Sequence, residues 1–310
     1  MNEQRRLDNR SYKEINNKVL EIQIIRSEVL SFTMNYFLHK DFKLIDPPII
    51  HEYIPNKKSE VYISIDDETF SLNSSNALYM SAYAVLMERV FSISPTFRKE
   101  RPSDNHLVEF KMLEVELLGC SFEECMELVY DFIKSMLLNL CNIQKGTVFK
   151  KRFTELYNSF QVDSQSYADI IKTLRSQGCA IEYGADLSDY DNEVSKIISN
   201  PTFVIDYPFP MASWTALPKD HNIAYAFNLI LPDQYGELTE GCQRNNDYKL
   251  FMHKFEQSDI HVLDWYADAI KSSKTDRSGF GLGMERLIRW VTGSKKIADT
   301  VLFPRFTEER

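Results

Sequence analysis

Apolar residues recur at helical spacing through Ile15, Val19, Ile22, Ile25, Val29, Phe32 and Phe37, which predicts one long amphipathic helix from Tyr12 to His39. The pattern then changes. Phe42 to Ile50 reads as a strand, and its Pro47-Pro48 pair places it at an edge or an interface. Alternation over Val61 to Ile65, then Asp66-Asp67, then Thr69 to Leu72 predicts a β-hairpin. Ala77 to Met87 reads as a helix, Val90 to Arg98 and Lys111 to Leu118 as two strands joined by a polar loop, and Phe122 to Cys141 as a second long helix. Strand patterns return over Thr202 to Tyr207, Ala224 to Leu231 and Gly279 to Leu282, followed by a helix from Met284 to Thr292. Strands joined by hairpins, without repeated βαβ units, predict an α+β fold with an antiparallel sheet. Residues 1–310 read as a single domain. Within it, 152–199 mixes short helical patterns with Gly178 and Gly184 and reads as an irregular insertion beside the sheet.

Composition narrows the function class. A chain of 310 residues, 44% hydrophobic and 26% charged, is ordinary for a soluble globular protein with a sizeable core. The formal net charge of -9 gives no whole-chain reason to expect a nucleic-acid partner. Cys120, Cys125, Cys141, Cys179 and Cys242 form no CxxC pair and have no histidines at zinc-finger spacing, so free thiols are expected. The first ten residues are polar and charged, unlike a signal peptide, and no apolar run is long enough to span a bilayer. A cytoplasmic enzyme or binding protein is the expected class.

Two constellations carry chemistry. The first is Phe97-Arg98-Lys99-Glu100, a loop, then His106-Leu107-Val108-Glu109-Phe110. Strands joined by such a loop can gather an arginine fork for a phosphate, a carboxylate for an adenine amine and a ring to stack on the base. By composition alone a charged surface hairpin is the plainer reading. The second is Gly279-Phe280-Gly281-Leu282-Gly283-Met284-Glu285-Arg286, a glycine-rich strand entering a helix, which allows close backbone approach to a ligand. It is not a dinucleotide fingerprint, because no βαβ unit with a following acidic position supports it.

Together these residues resemble class II aminoacyl-tRNA synthetases of the aspartyl/asparaginyl subgroup. Phe97-Arg98-x-Glu100 with His106-Leu107-x-Glu109-Phe110 is similar to the family's motif 2, and Gly279-x-Gly281-x-Gly283-x-Glu285-Arg286 to its motif 3. The first helix with Phe42 to Pro48 resembles motif 1, the dimer-forming element. Gly236 to Arg244 resembles the strand that binds metal and substrate. The resemblance implies an antiparallel sheet flanked by helices, a homodimer, and ATP with Mg2+ as cofactors. It gives Arg98 the α-phosphate, Glu100 the adenine amine, His106 the outer phosphates, and Phe110 and Arg286 the two adenine faces. Glu237 would hold Mg2+, with Asn228 at a position where the family often has a metal-binding aspartate. Arg98, Glu237 and Arg286 are the expected catalytic groups. Ser75, Gln243 and Arg244 fall to a small carboxylate substrate, although a salt bridge is the bland alternative for Arg244.

The amino-acid half departs from the pattern. The family's mobile Glu-Gly loop has no counterpart in Glu52 to Glu60, which contains no glycine. The family's Gln falls at Ala77, its Arg before motif 3 at Ile270, and its His before the glycines at Arg277. Motif 1 begins almost at once, without the OB-type barrel that reads the anticodon in the related synthetases. The expectation is therefore an adenylate-forming ligase rather than a tRNA-charging enzyme. An asparagine synthetase-like enzyme and a non-catalytic nucleotide-binding paralogue are the alternatives.

Overall fold

The computed structural model describes residues 7–8, 15–51, 60–99, 104–143, 147–250, 252 and 264–307. Strand β1 (Leu7–Asp8) pairs antiparallel with the last strand, β13 (Phe306–Thr307). Helix α1 (Asn17–His39) starts later than apolar spacing predicts, because extended Asn16 caps it by accepting from the Val19 amide at 3.1 Å. The expected single strand over 42–50 is two short pieces, β2 (Lys43–Leu44) and β3 (Ile50–His51), which enter different sheets. Pro47 and Pro48 lie between them, and neither can donate to a ladder. The hairpin forms as β4 (Tyr62–Ile65) and β5 (Glu68–Leu72), with β3 added beside β5. Asp66 and Asp67 both take positive φ at its turn, as a tight hairpin requires.

Helix α2 (Ala77–Met87) leads into the central hairpin, β6 (Arg89–Phe97) and β7 (Glu109–Leu118). β6 carries Pro95 without penalty, because β2 covers β6 only at Val90 and Phe91. Helix α3 (Phe122–Cys141) opens on a reciprocal capping box between Ser121 and Glu124. The segment 152–199 contains most of α4 (Lys150–Ser159), then β8 (Asp163–Ser166), α5 (Tyr167–Ser176), a 3-10 turn (Leu187–Tyr190) and α6 (Asp191–Ile197). β8 is stitched into the main sheet, parallel to β9 (Thr202–Ile205). The remaining elements are β10 (Ala226–Leu231), β11 (Gly236–Gln243), α7 (Asp264–Ser272), β12 (Arg277–Gly283) and α8 (Met284–Thr292).

Among the described residues the main sheet has eight strands in the order β2-β6-β7-β12-β11-β10-β9-β8, and only its two end pairs are parallel. This is the α+β, antiparallel-dominated architecture that the sequence predicts. One face of the sheet buries Leu113, Val115, Phe227, Leu229, Phe280 and Leu282 against α1, α3 and α8. The Phe37 ring of α1 sits 5.2 Å from that of Phe91 and 5.4 Å from that of Phe132, so three elements share one aromatic knot. On the other face α2 packs over β6 and β7, while α5 and α6 bury Ile170, Ile171, Leu174 and Val194 against Val204 and Ile230. Between these two coverings the sheet is left open.

Candidate active site

Residues paired across an antiparallel ladder point to the same face. Asn228 pairs with Glu240, Glu240 with Gly281, and Gly281 with Glu114, so one row crosses four strands on the open face. Two residues along, Ala226, Cys242, Gly279 and Glu116 form the next row. Glu237 would face the opposite way from Glu240 in a regular strand. A register shift between Leu229 and Ile230 brings Ile230 opposite Glu237, which turns both carboxylates to the open face. The floor so formed lines a cavity of about 920 Å³ that also includes Arg98, His106, Phe110 and Arg286.

The glycines of β12 act by being small. A Cβ on Gly279 would lie 1.9 Å from Glu116 Oε2 and 2.6 Å from the Val115 carbonyl, so no side chain fits there. Gly281 leaves a gap in the row between Glu240 and Glu114 over which a ligand can lie.

Three arginines reach the cavity with different commitments. Arg98 Nε donates to the Ser74 carbonyl at 3.1 Å, and its guanidinium lies 5.5 Å from the centre of the Phe110 ring. Arg286, in the first turn of α8, donates to the Glu237 carbonyl at 2.5 Å, meets His106 Nε2 at 3.2 Å and pairs with Asp191 at 3.7 Å. Glu285 beside it is buried and accepts from Arg26 at 2.6 Å and from the Lys111 amide at 2.8 Å, fixing α8 to α1 and β7. Arg244 is engaged already. Its Nε and Nη2 grip Glu116 at 3.0 and 2.8 Å, and Nη1 donates to Thr215 Oγ1 at 3.0 Å and Cys242 Sγ at 2.9 Å. Arg244 therefore lines the cavity, but as half of a buried bidentate ion pair.

The other residues singled out from the sequence divide clearly. Ser75 lines the cavity and donates to Glu114 at 2.7 Å, where two contacts from the Asn76 amide, at 2.9 and 3.0 Å, complete the carboxylate's shell. Burial nevertheless raises the Glu114 pKa, with those bonds and Arg98 opposing. Gln243 does not line the cavity. It alternates with Cys242 and Arg244, which do, so its side chain is directed to the other face and the substrate-binding expectation for it is not met. Glu100 lies outside the described residues, as does most of the loop from Glu52 to Glu60. Ala77 lines the cavity, Ile270 is buried against Leu78 and Tyr266, and Arg277 is fully buried, donating to Ser81 Oγ at 2.9 Å and Asn246 Oδ1 at 3.2 Å.

Two carboxylates that the sequence did not mark belong to this region: Glu240 lines the cavity, and Asp191 stands behind Glu237 and Arg286. Asp191 opens α6 and accepts from the Glu237 amide at 3.3 Å; burial and the Glu237 charge raise its pKa to about 6, against the pull of Arg286. That close approach requires Gly236, whose φ is +74° and whose Cβ would stand 2.7 Å from Asp191 Oδ2. Glu240 opens to solvent within the cavity yet is enclosed by the protein around it, and this desolvation with the Glu237 charge raises its pKa to about 7.

A divalent cation fits this corner in company with phosphates. Asn228 donates one amide hydrogen to a Glu237 oxygen, leaving the other carboxylate oxygen and the Asn228 carbonyl. Among the described residues, no three His, Cys, Asp or Glu side chains gather closely enough to hold a metal ion by themselves. One carboxylate plus phosphate oxygens is an ordinary Mg2+ environment.

Comparison with known proteins agrees with this geometry. The family model for class II tRNA synthetases (D, K and N) matches residues 2–307. Asparaginyl-tRNA synthetase from Pyrococcus horikoshii, solved with asparaginyl-adenylate, superposes with a TM-score of 0.84 at 25% identity, covering 93% of this chain and 69% of that one. The Entamoeba histolytica asparaginyl-tRNA synthetase gives 0.86 at 24% identity, covering 94% of this chain and 68% of that one. The aspartyl-tRNA synthetase of the same organism gives 0.75 at 18%, covering 93% and 59%. The last two comparisons speak to the fold alone. Because that family model matches nearly the whole chain, the chain belongs to the class II tRNA synthetases of the D, K and N group.

Proposed function

We propose that the protein is an ATP-dependent ligase that activates a small carboxylic acid as its acyl-adenylate, and that tRNA is not its ordinary acceptor. One observation carries this reading: Arg98, His106, Phe110, Arg286 and Glu237, drawn from four separate elements, line a single cavity. A surface hairpin with incidental charge has no reason to meet a distant glycine strand in this way. The family fold and the adenylate bound by the Pyrococcus relative support the same chemistry.

ATP lies on the open face with its base against Phe110. Arg98 slides from Phe110 onto the α-phosphate, and Arg286 covers the second face of the base. A carboxylate oxygen of the acid attacks the α-phosphorus, a C–O–P bridge forms, and the bond to pyrophosphate breaks with its electron pair leaving on pyrophosphate. Arg98 stabilises charge that grows at the α-phosphoryl oxygens in the transition state, and His106 steadies the departing phosphates. Glu237 and the Asn228 carbonyl would hold Mg2+, which would neutralise phosphate charge. The acid sits over Gly281 toward Ser75 and Glu114. The Arg244–Glu116 pair walls that end of the pocket without offering a free cation, which weighs against simple aspartate amidation.

The net charge of -9 and the acidic cavity wall support an acceptor other than tRNA. A cytoplasmic homodimer completes the proposal, supported by the outward Leu20, Ile24, Met34 and Leu38 of α1. Exchange of labelled pyrophosphate into ATP, run across a panel of amino and dicarboxylic acids, tests the activity. Exchange that depends on one acid is expected. No exchange with any acid, despite measurable ATP binding, supports the non-catalytic paralogue instead.

A further inference from the structure

The cavity has two chemically opposed sides. Arg98, His106 and Arg286 gather at one, and Arg286 reaches from it to the Glu237 carbonyl and to Asp191. On the other, the 3-10 turn brings Asp186 and Asp189 to the rim, Glu240 rises from the floor, and Tyr207, just beyond β9, closes the back. Tyr207 is 8% exposed, and its hydroxyl has no hydrogen-bond partner among the described residues. Such a buried hydroxyl is costly unless something satisfies it. Burial and the charges of Glu237, Glu240 and Asp186 hold its proton firmly, so it remains a neutral phenol that can accept a bond from an N–H group. The Glu240 carboxylate likewise makes no hydrogen bond to another described residue, in contrast to Glu114 and Glu116, which are fully engaged.

We propose that this side of the cavity is the acceptor subsite, and that it takes a primary alkylammonium: the amine that captures the acyl group. The inference rests on the adenylate-forming reading above and names its second substrate. An ammonium supplies three donors and a positive charge, which suits Glu240, Tyr207 and the acidic rim together. The side matters as well. Once the acyl-adenylate covers the floor, a nucleophile must enter from solvent, and Asp186 and Asp189 are exposed at that entrance. The captured amine loses one proton to solvent and attacks the acyl carbon. The C–N bond forms, the C–O bond to AMP breaks with its electron pair leaving on AMP, and a second proton departs to give a neutral amide.

The test compares a cationic with an uncharged nucleophile on the same adenylate. Propylamine is cationic at neutral pH and hydroxylamine is not. In Glu240→Gln the propylamine concentration for half-maximal capture should rise about tenfold relative to that for hydroxylamine, and in Tyr207→Phe about threefold. Equal losses for both nucleophiles would make the wall structural and overturn the subsite. Selective loss of pyrophosphate exchange with α-amino acids, but not with their des-amino analogues, would assign the wall to the acid's own ammonium and also overturn it. If no acid supports exchange, the adenylate reading fails separately. Saturation-transfer NMR of propylammonium on the ATP-bound protein then decides the subsite: a signal lost in Glu240→Gln supports it, and no signal in the unsubstituted protein refutes it.

Discussion

Replacing Arg244 by alanine should act first on stability. The substitution leaves the Glu116 carboxylate at 1% exposure with its bidentate partner gone, on a strand whose neighbour has no space to adjust because Gly279 lies against that carboxylate. Breaking a buried ion pair by removing one partner costs about 3–5 kcal/mol, which for a chain of this size lowers Tm by about 5–10 °C. The pair Arg244→Met with Glu116→Gln removes both charges and should recover most of that loss, since no lone charge remains buried. Thermal unfolding followed by circular dichroism, with the two single variants and the double variant side by side, measures the coupling. A normal Tm for Arg244→Ala, accompanied by a changed choice of acid, would overturn this reasoning and return Arg244 to direct substrate recognition.

Gly279→Ala should destabilise by about 1–3 kcal/mol or more, because its Cβ would meet Glu116 and the Val115 backbone. Gly281→Ala should cost less in the same melting experiment, since its nearest neighbour is the flexible Met112 Cε at 3.0 Å; the reverse order would contradict the packing described. Arg286→Ala should weaken ATP binding by about tenfold in calorimetry, through loss of a stacking contact on the base. An unchanged affinity in a folded variant would remove adenine from that position. Glu240 has a folded pKa of about 7 against an ordinary 4.5, so the folded state holds its proton longer than the unfolded chain and stability falls as pH rises through that window. Glu240→Gln should therefore gain Tm relative to the unsubstituted protein between pH 5 and pH 8; a constant difference across that range would mean the carboxylate is not perturbed.

Periodicity located α3 well because its apolar residues form a buried stripe, whereas α8 is buried on nearly every side. α2, α3 and α8 occupy the residues that apolar spacing marks, and the antiparallel sheet follows from hairpin signals. Boundaries failed where a local group intervened: Asn16 caps α1 late, and Pro47-Pro48 splits one strand into two. The side of the cavity proposed to take the nucleotide was legible because its residues sit in two short motifs with fixed spacing. The acidic side was not. Asp186, Glu240 and Tyr207 come from separate segments of the chain, and only the folded sheet with the turn before α6 brings them to one cavity. The alternation of Glu240 with Cys242 and Arg244 was a usable sign for one of them. The engagement of Arg244 by Glu116 was hidden for a similar reason, since the two are 128 positions apart.

The central claim is that a carboxylate oxygen of the acid attacks the α-phosphorus of ATP. The most direct measurement uses the acid that supports exchange, labelled with 18O in its carboxyl group, and reads the mass of the AMP released after capture of the acyl group. The account predicts that one 18O atom appears in AMP for each turnover. Unlabelled AMP, with the label remaining in the acid or appearing in another phosphate product, would contradict it.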